Sequence, residues 1–246
     1  MRFILLIFLA FSQIFANDTK QEVTIGAGPF AQTQPYVNVD VKIVASPVLF
    51  FDNELFYIRW SRAGVYFLGD KQDDFSWAFS LTLQPRVYGY ESSDILGMDK
   101  REETWEGGLA LSAKKEDAYI EIMILNDLLN KYNSWILKTE IGYEFELAKF
   151  SIYPSFIAVY QTSKFLNYYY GVKNNEAVLR GESAYAPDAG FQLGVQTYIK
   201  YPLTKNFSAL VNLRADRLPS SAYSSTIVED KYIYSGLASL IYTFTY

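Results

Sequence analysis

Between Trp135 and Leu147 the side chains alternate in character at almost every step, and this constrains the fold more than any other feature. Trp135, Leu137, Thr139, Ile141, Tyr143, Phe145 and Leu147 fall on one side, and Ile136, Lys138, Glu140, Gly142, Glu144 and Glu146 on the other. A period of two belongs to a strand, because successive side chains leave opposite faces of the pleat. The same alternation recurs along Phe75–Leu83, Phe191–Tyr201, Phe207–Asp216 and Tyr234–Tyr246. Repeated segments of roughly 10 residues, apolar on one face and polar on the other, are the pattern of a transmembrane β-barrel.

The ends of the chain suit that reading. Arg2 precedes an apolar run from Phe3 to Phe11, followed by Ser12, Gln13 and Ala16. A basic start, a short apolar core and a small residue predict a secretory leader over residues 1–16, with the barrel over 17–246. The run is too short for a membrane-spanning helix, which needs about 20 apolar residues. Loss of Arg2 with the leader would move the formal net charge from −5 to −6. At the other end, Tyr234 to Tyr246 covers about 40 Å of strand, enough to cross a bilayer at a barrel's tilt. An aromatic end with apolar residues at every second position resembles the signal read by the barrel assembly machinery.

Composition separates barrel from helical bundle. Half the residues are hydrophobic and 17% are aromatic, yet mean hydropathy is only −0.01. No stretch after the leader approaches 18 apolar residues, so spanning helices are excluded, whereas the aromatics suit interfacial belts. A secreted β-sandwich would alternate too. With no Cys, however, the fold must be closed by hydrogen bonds rather than disulfides. The acidic balance argues against nucleic acid as a partner.

Eleven strand candidates are visible, near 22–32, 37–50, 54–68, 75–90, 104–114, 117–126, 134–147, 149–161, 189–201, 205–217 and 232–246. Bacterial barrels have even numbers of strands, short periplasmic turns and long outer loops. Counting back from the C-terminus, short and long connections alternate correctly until residue 69, so one strand is hidden before it, at a break near Pro47 or Ser61–Arg62. The expectation is an all-β antiparallel barrel of about 12 strands, within a range of about 10–14.

Asn167-Tyr-Tyr-Tyr-Gly-Val172, with Glu176, Ala177, Arg180, Gly181 and Tyr185, resembles the signature loop of the MipA/OmpV family of outer-membrane proteins. Arg217-Leu218, Ser225-Thr-Ile-Val228, Gly236 and Tyr242-Thr-Phe244 are similar to its C-terminal pattern, with Ser-Thr where the family usually has Ser-Pro. Gly26-Ala-Gly28, Pro35-Tyr36 and Ser46-Pro47 fit the same resemblance, while residues 91–132 show little of it beyond Gly107-Gly-Leu109. The resemblance implies a scaffold in the envelope that holds murein-cleaving and murein-synthesising enzymes together.

Chemistry is constrained by absence. The chain has no His and no Cys, so the Ser–His pairs of outer-membrane lipases and the usual zinc ligands are missing. No catalytic residue, cofactor or metal site is expected. The pairs Asp73-Asp74, Glu102-Glu103 and Glu116-Asp117 read as solvated loop carboxylates, with weak calcium binding or bridging to lipopolysaccharide as the sharper alternative. Asp40, Lys42, Arg86, Lys138, Glu140, Glu144, Glu146, Lys200, Arg214 and Asp216 are expected on lumen faces. They would either pair and fill the barrel or line a pore, to which Glu140, Glu144 and Glu146 would give cation preference. Tyr168, Tyr169 and Tyr170 read more readily as an outer aromatic girdle than as an inward-folded loop at the mouth. Three functions follow as alternatives: a scaffold in contact with outer-membrane lipid and murein-processing enzymes, a passive porin-like channel or solute binder, and an adhesin acting through its outer loops.

Overall fold

The computed structural model describes residues 22–245 apart from 73 and 88, so the expected leader, Asp73 and Tyr246 lie outside the described residues. The strands are β1 (Glu22–Gln32), β2 (Lys42–Asp52), β3 (Phe56–Arg59), β4 (Arg62–Lys71), β5 (Phe75–Arg86), β6 (Thr104–Lys115), β7 (Ala118–Asp127), β8 (Trp135–Tyr143), β9 (Phe145–Leu147), β10 (Phe150–Gln161), β11 (Gly190–Pro202), β12 (Phe207–Arg217) and β13 (Tyr232–Thr245). Apart from β8 and β9, which do not pair with each other, consecutive strands pair antiparallel, and β1 pairs with β13, from Glu22↔Thr245 to Gln32↔Ser235, so the sheet closes on itself. The segments β8 and β9 both pair with β10 in succession, so the ring among the described residues counts twelve strands.

The hidden strand lies where the parity of the connections required it. The candidate at 54–68 is two strands, β3 and β4, joined at Trp60–Ser61. Pro47 does not break a strand; it sits within β2, opposite Ala27. The candidates at 37–50 and 75–90 are trimmed at their outer ends, to Lys42 and Arg86.

The pleat sorts the side chains as the alternation requires. Leu81, Leu109, Ile124, Ile141, Phe156, Val195, Leu213 and Leu240 face outward and are largely exposed, the condition of a wall solvated by lipid. Trp135, Tyr160 and Phe191 touch in series toward the long-loop end, while Phe207, Tyr242 and Phe244 do so toward the short-turn end. These are the two aromatic belts of a spanning barrel.

Inside, two glycines make room for tyrosines across the strand pairs. Gly64 is opposite Tyr57 and Gly142 opposite Tyr119, and each ring lies over its glycine. A Cβ at Gly142 would stand 2.3 Å from the Tyr119 ring, and one at Gly64 2.5 Å from the Tyr57 ring. Each aromatic therefore covers the backbone that its partner leaves bare. Substituting Gly142→Leu should force Tyr119 into the lumen at a cost of about 1–3 kcal/mol, the usual penalty of overpacking. The check is the urea midpoint for loss of the compact, heat-modifiable band on gels; an unchanged midpoint would count against this packing.

Candidate functional site: a capped lumen

At the long-loop end the connections fold inward instead of standing clear of the barrel. The segment after β10 forms two short helices, α1 (Ser163–Tyr170) and α2 (Asn174–Arg180). Thr162 caps α1 by accepting the N–H of Phe165 on its hydroxyl, and places Phe165, Leu166, Tyr169 and Tyr170 on one face. All four are fully buried. They pack with Tyr36, Tyr90, Tyr132, Leu218 and Ile227 from the other loops, and with the lumen-facing Met123, Leu125, Ile136 and Ile157 of the wall. Tyr169 and Tyr170 are thus not an outer girdle: helical spacing turns them into the mouth, where they exclude water from the upper lumen. Tyr168 is partly buried and donates no girdle either, since its hydroxyl accepts the Glu102 N–H at 2.9 Å.

A buried ion pair ties this cap together. Arg101 and Glu176, both almost inaccessible, meet with Nη2 at 2.9 and 3.0 Å from the two carboxylate oxygens. Glu176 also accepts the backbone N–H groups of Asp99 and Lys173, and Arg101 donates to the carbonyls of Asp99 and Gly171. The guanidinium lies near the faces of Tyr90 and Tyr168. One carboxylate therefore organises two loops far apart in sequence. The turn after β7 is held similarly by Asp127, which accepts Thr104 Oγ1 and the N–H groups of Leu129, Tyr132 and Asn133.

Below the cap, ion pairs line the wall. Arg86 pairs with the fully buried Glu106, which also receives Gln84 and the Tyr132 hydroxyl. Arg59 and Arg62 both pair with Glu121, Lys138 meets Glu140 at 3.6 Å, and Arg214 binds Asp216 through two hydrogen bonds at 2.6 and 2.7 Å. Glu144 accepts from Lys114 at the short-turn rim, where Glu146 is exposed. Lys42 pairs with Glu103 at the outer rim, and Asp40 lies exposed in the loop before β2, off any strand. The acidic strip read from Glu140, Glu144 and Glu146 is consequently interleaved with Lys138 and Lys114, and with Arg62 and Arg214, whose charges reach Glu140. Glu102 pairs with Lys100 and Lys131, and Asp117 accepts the Tyr143 hydroxyl.

A cavity of about 1690 Å³ remains between these walls. Its lining reaches Glu54, Lys71 and Glu144 at the short-turn rim and stops at Arg86, Gln161 and Asp216 beneath the cap. It is a vestibule, closed at the end with long loops and open at the end with short turns. Among the described residues no group of three or more carboxylates gathers as a metal site would require.

Closed strand pairing, a lipid-facing apolar wall and a lumen plugged from the long-loop side define an outer-membrane β-barrel whose cavity opens at the end with short turns. The chain belongs to the family of the MltA-interacting protein MipA, whose model matches residues 25–244. It is 22% identical over 217 residues to the putative outer membrane protein YiaT of Escherichia coli K12, covering 87% of each chain. It is 21% identical over 224 residues to the MltA-interacting protein of the same strain, covering 91% of this chain and 90% of that one. Among solved structures, an outer-membrane channel of Pseudomonas putida F1 aligns over 93% of this chain and 97% of its own at 11% identity, with a TM-score of 0.43.

Two outcomes follow for the cap. Glu176→Ala strands Arg101 in a buried site, and should destabilise the cap by about 3–5 kcal/mol. Trypsin cleavage after Arg101 should then become fast while the barrel stays folded; resistance equal to the parent chain would show that the pair does not hold the loops. The cap should also loosen in acid. The Asp99 carboxyl is held below its ordinary range by Lys173, that of Glu102 by Lys131 and Lys100, and that of Glu182 by Thr226 and Arg180. Lowered folded values mean stabilisation that is complete above about pH 5 and lost as pH falls through those values. Because these groups are exposed, the effect is confined to the loops. Hydrogen exchange across residues 96–103 and 173–182, corrected for the intrinsic pH dependence, should rise below about pH 4.

Proposed function

We infer that this barrel is an envelope scaffold that receives a murein-processing partner at its periplasmic end. The observation that carries the reading is the closed cap: with the outer mouth filled by packed side chains, the vestibule is accessible from the short-turn side. The turns themselves are short and offer little of the roughly 1,600 Å² that a stable interface buries. The vestibule removes that difficulty, because a partner segment entering it adds the inner wall to the contact. The rim presents Leu55 exposed next to Glu54, which pairs with Lys71, and Leu203 exposed separately in the turn between β11 and β12. A relative named for interaction with MltA supports the same reading.

The channel reading is less well supported, since passive flow requires the cap to move. The adhesin reading has one observation in its favour: Leu96, Val178 and Leu179 are all strongly exposed at the top of the cap. Tyr169 and Tyr170 are buried and do not serve it.

The test uses the folded barrel in nanodiscs with a purified lytic transglycosylase and a murein synthase. Binding at micromolar Kd or tighter is expected, weakened at least about tenfold by Leu55→Asp with Leu203→Asp, and unaffected by Leu179→Asp. Absence of binding, or loss only with Leu179→Asp, would overturn the scaffold reading. Planar-bilayer recordings should find the parent chain silent and Glu176→Ala conducting. Open steps in the parent would instead favour the channel.

A further inference from the structure

The ring of strands is closed, but its wall is not complete. Only Phe50, Phe51 and Asp52 of β2 pair with β3, because the β3–β4 hairpin turns back at Trp60–Ser61. The Trp60 N–H reaches the Leu49 carbonyl, and above that point β2 continues from Val48 up to Lys42 with a partner on its β1 side alone. Across the gap, β5 is paired with β4 up to Leu83 and continues to Arg86. The gap is therefore two strands wide, about 14 Å between backbones at about 4.8 Å per spacing. The Lys42–Glu103 ion pair bridges its top and Trp60 its foot.

Several features show that this gap is built. Trp60 is held at a left-handed φ of 55°, by its indole N–H on Ser46 Oγ at 2.9 Å and by edge-on contact with Phe30. Pro47 lies on the open stretch. Since the Leu49 carbonyl points toward β3, alternate residues below it in number, Pro47, Ala45 and Ile43, direct their backbone groups to the same side. The proline thus removes an N–H that would have had no partner, and blocks addition of a strand. Ile43, Ala45 and Pro47 also face outward and are exposed, Ile43 at 70%, so the gap opens onto lipid rather than water above it.

Apolar side chains lead inward from the edge. In register across the strands, Val44 is beside Phe30 and Phe30 beside Leu237, while Val48, Gly26 and Ile241 form a second row. Phe30, Val48, Leu237 and Ile241 belong to a cluster with Leu210, Phe50 and Trp60, separate from the cap, and the half-exposed Val44 stands at its edge. Phe30, Phe50, Trp60, Leu210 and Ile241 line the vestibule. Continuing past Leu237 the wall becomes polar at Asn212, Tyr198 and then Lys200, which stands opposite Leu210. Lys200 lines the cavity and has no ion pair among the described residues, unlike Lys138, Arg59, Arg62, Arg86 and Arg214.

We propose that the gap between β2 and β5 is a lateral portal through which an anionic single-chain amphiphile moves between the outer leaflet and the vestibule. Its apolar chain lies along the Phe30–Leu210–Ile241 wall and its head group meets Lys200. An apolar path from a lipid-facing opening, ending at a free ammonium, matches such a molecule in both halves. The four strand spacings from Val44 to Tyr198 cover about 19 Å, the reach of an extended long alkyl chain. A peptide strand is the occupant that Pro47 disfavours.

The test uses the parent barrel in nanodiscs and 11-(dansylamino)undecanoic acid as the probe, followed by fluorescence. Saturable binding is expected, weakened about tenfold by Lys200→Gln for the carboxylate but not for the corresponding alcohol. The natural chain contains no Cys, so Ala45→Cys with Pro85→Cys can be bridged by a flexible bis-maleimide after folding. Bridging should slow entry of the probe at least about tenfold while leaving a small water-soluble carboxylate free to reach the vestibule. Binding that does not saturate, is insensitive to Lys200→Gln, or enters equally fast in the bridged barrel would overturn the portal. So would pairing of an added peptide strand with the β2 edge.

Discussion

In hydrocarbon a backbone N–H or C=O without a partner costs several kcal/mol, and this requirement shapes the whole molecule. A sheet meets it only by closing, which β1 and β13 accomplish over nearly their full lengths. Closure then fixes the rest. Side chains must divide between lipid and lumen, hence the period of two. The lumen must accommodate whatever faces it, hence the small residues under Tyr57 and Tyr119 and the ion pairs along and between the strands. Where the wall departs from closure, at the outer half of β2, a proline replaces one of the donors that would otherwise face hydrocarbon.

The lumen divides into three zones with different physics. Uppermost is a packed aromatic cluster resembling a small protein core, formed by loops that could not be stable alone. Tyr90 and Tyr132 belong to it, and burial pushes both phenols up, so they remain neutral, and Tyr132 donates its hydroxyl to Glu106. The buried Arg101–Glu176 pair is not there for net stability, because desolvation offsets most of its attraction. Its value is in specifying which loop meets which: a carboxylate that accepts four hydrogen bonds from Arg101, Asp99 and Lys173 fits one arrangement. Beneath lies a layer of paired charges, and beside that the apolar strip along β1, β2, β12 and β13.

How much of this was legible in the sequence depends on how local the determining signal is. Strand positions, the facing of most strand side chains and the strand count were readable, because the pleat period and the alternation of short and long connections are local, whereas Asp40, expected on a lumen face, lies off any strand. Parity also required the hidden strand before residue 69, although it left the break open between Pro47, which lies within β2, and Ser61–Arg62, beside the observed turn. The cap was missed for a definite reason. Thr162 with Phe165, Leu166, Tyr169 and Tyr170 carries helical spacing and a cap, but an eight-residue helix is unstable alone and its pattern is easily read as rim aromatics. What decides the matter is Glu176 meeting Arg101, a contact between remote loops that one sequence does not reveal. The same holds for the lumen charges. Lys138 and Glu140 were visible as inward-facing, but the approach of Arg62 and Arg214 to Glu140 depends on the curvature of the barrel.

Of the residues that carried the family resemblance, those between Asn167 and Tyr185 make the cap, while Gly26-Ala-Gly28, Ser46-Pro47, Gly236 and Tyr242-Thr-Phe244 lie in the wall. Asn167 donates to the carbonyls of Ser163 and Pro187, Glu176 takes Arg101, and Arg180 reaches the Leu96 carbonyl. Gly181 ends α2 at a left-handed φ of 67°, and the Tyr185 hydroxyl binds the Ser221 carbonyl. A signature concentrated in a device that closes the outer mouth is what a barrel facing the periplasm requires. An open pore would place its demands on the constriction instead, where here Arg59, Arg62, Arg86, Lys138 and Arg214 are paired and, among the described residues, Lys200 has no ion pair. The closed cap and the interrupted wall are therefore complementary. With the axial route from outside filled, a molecule arriving from the outer leaflet has only the flank of the barrel by which to enter.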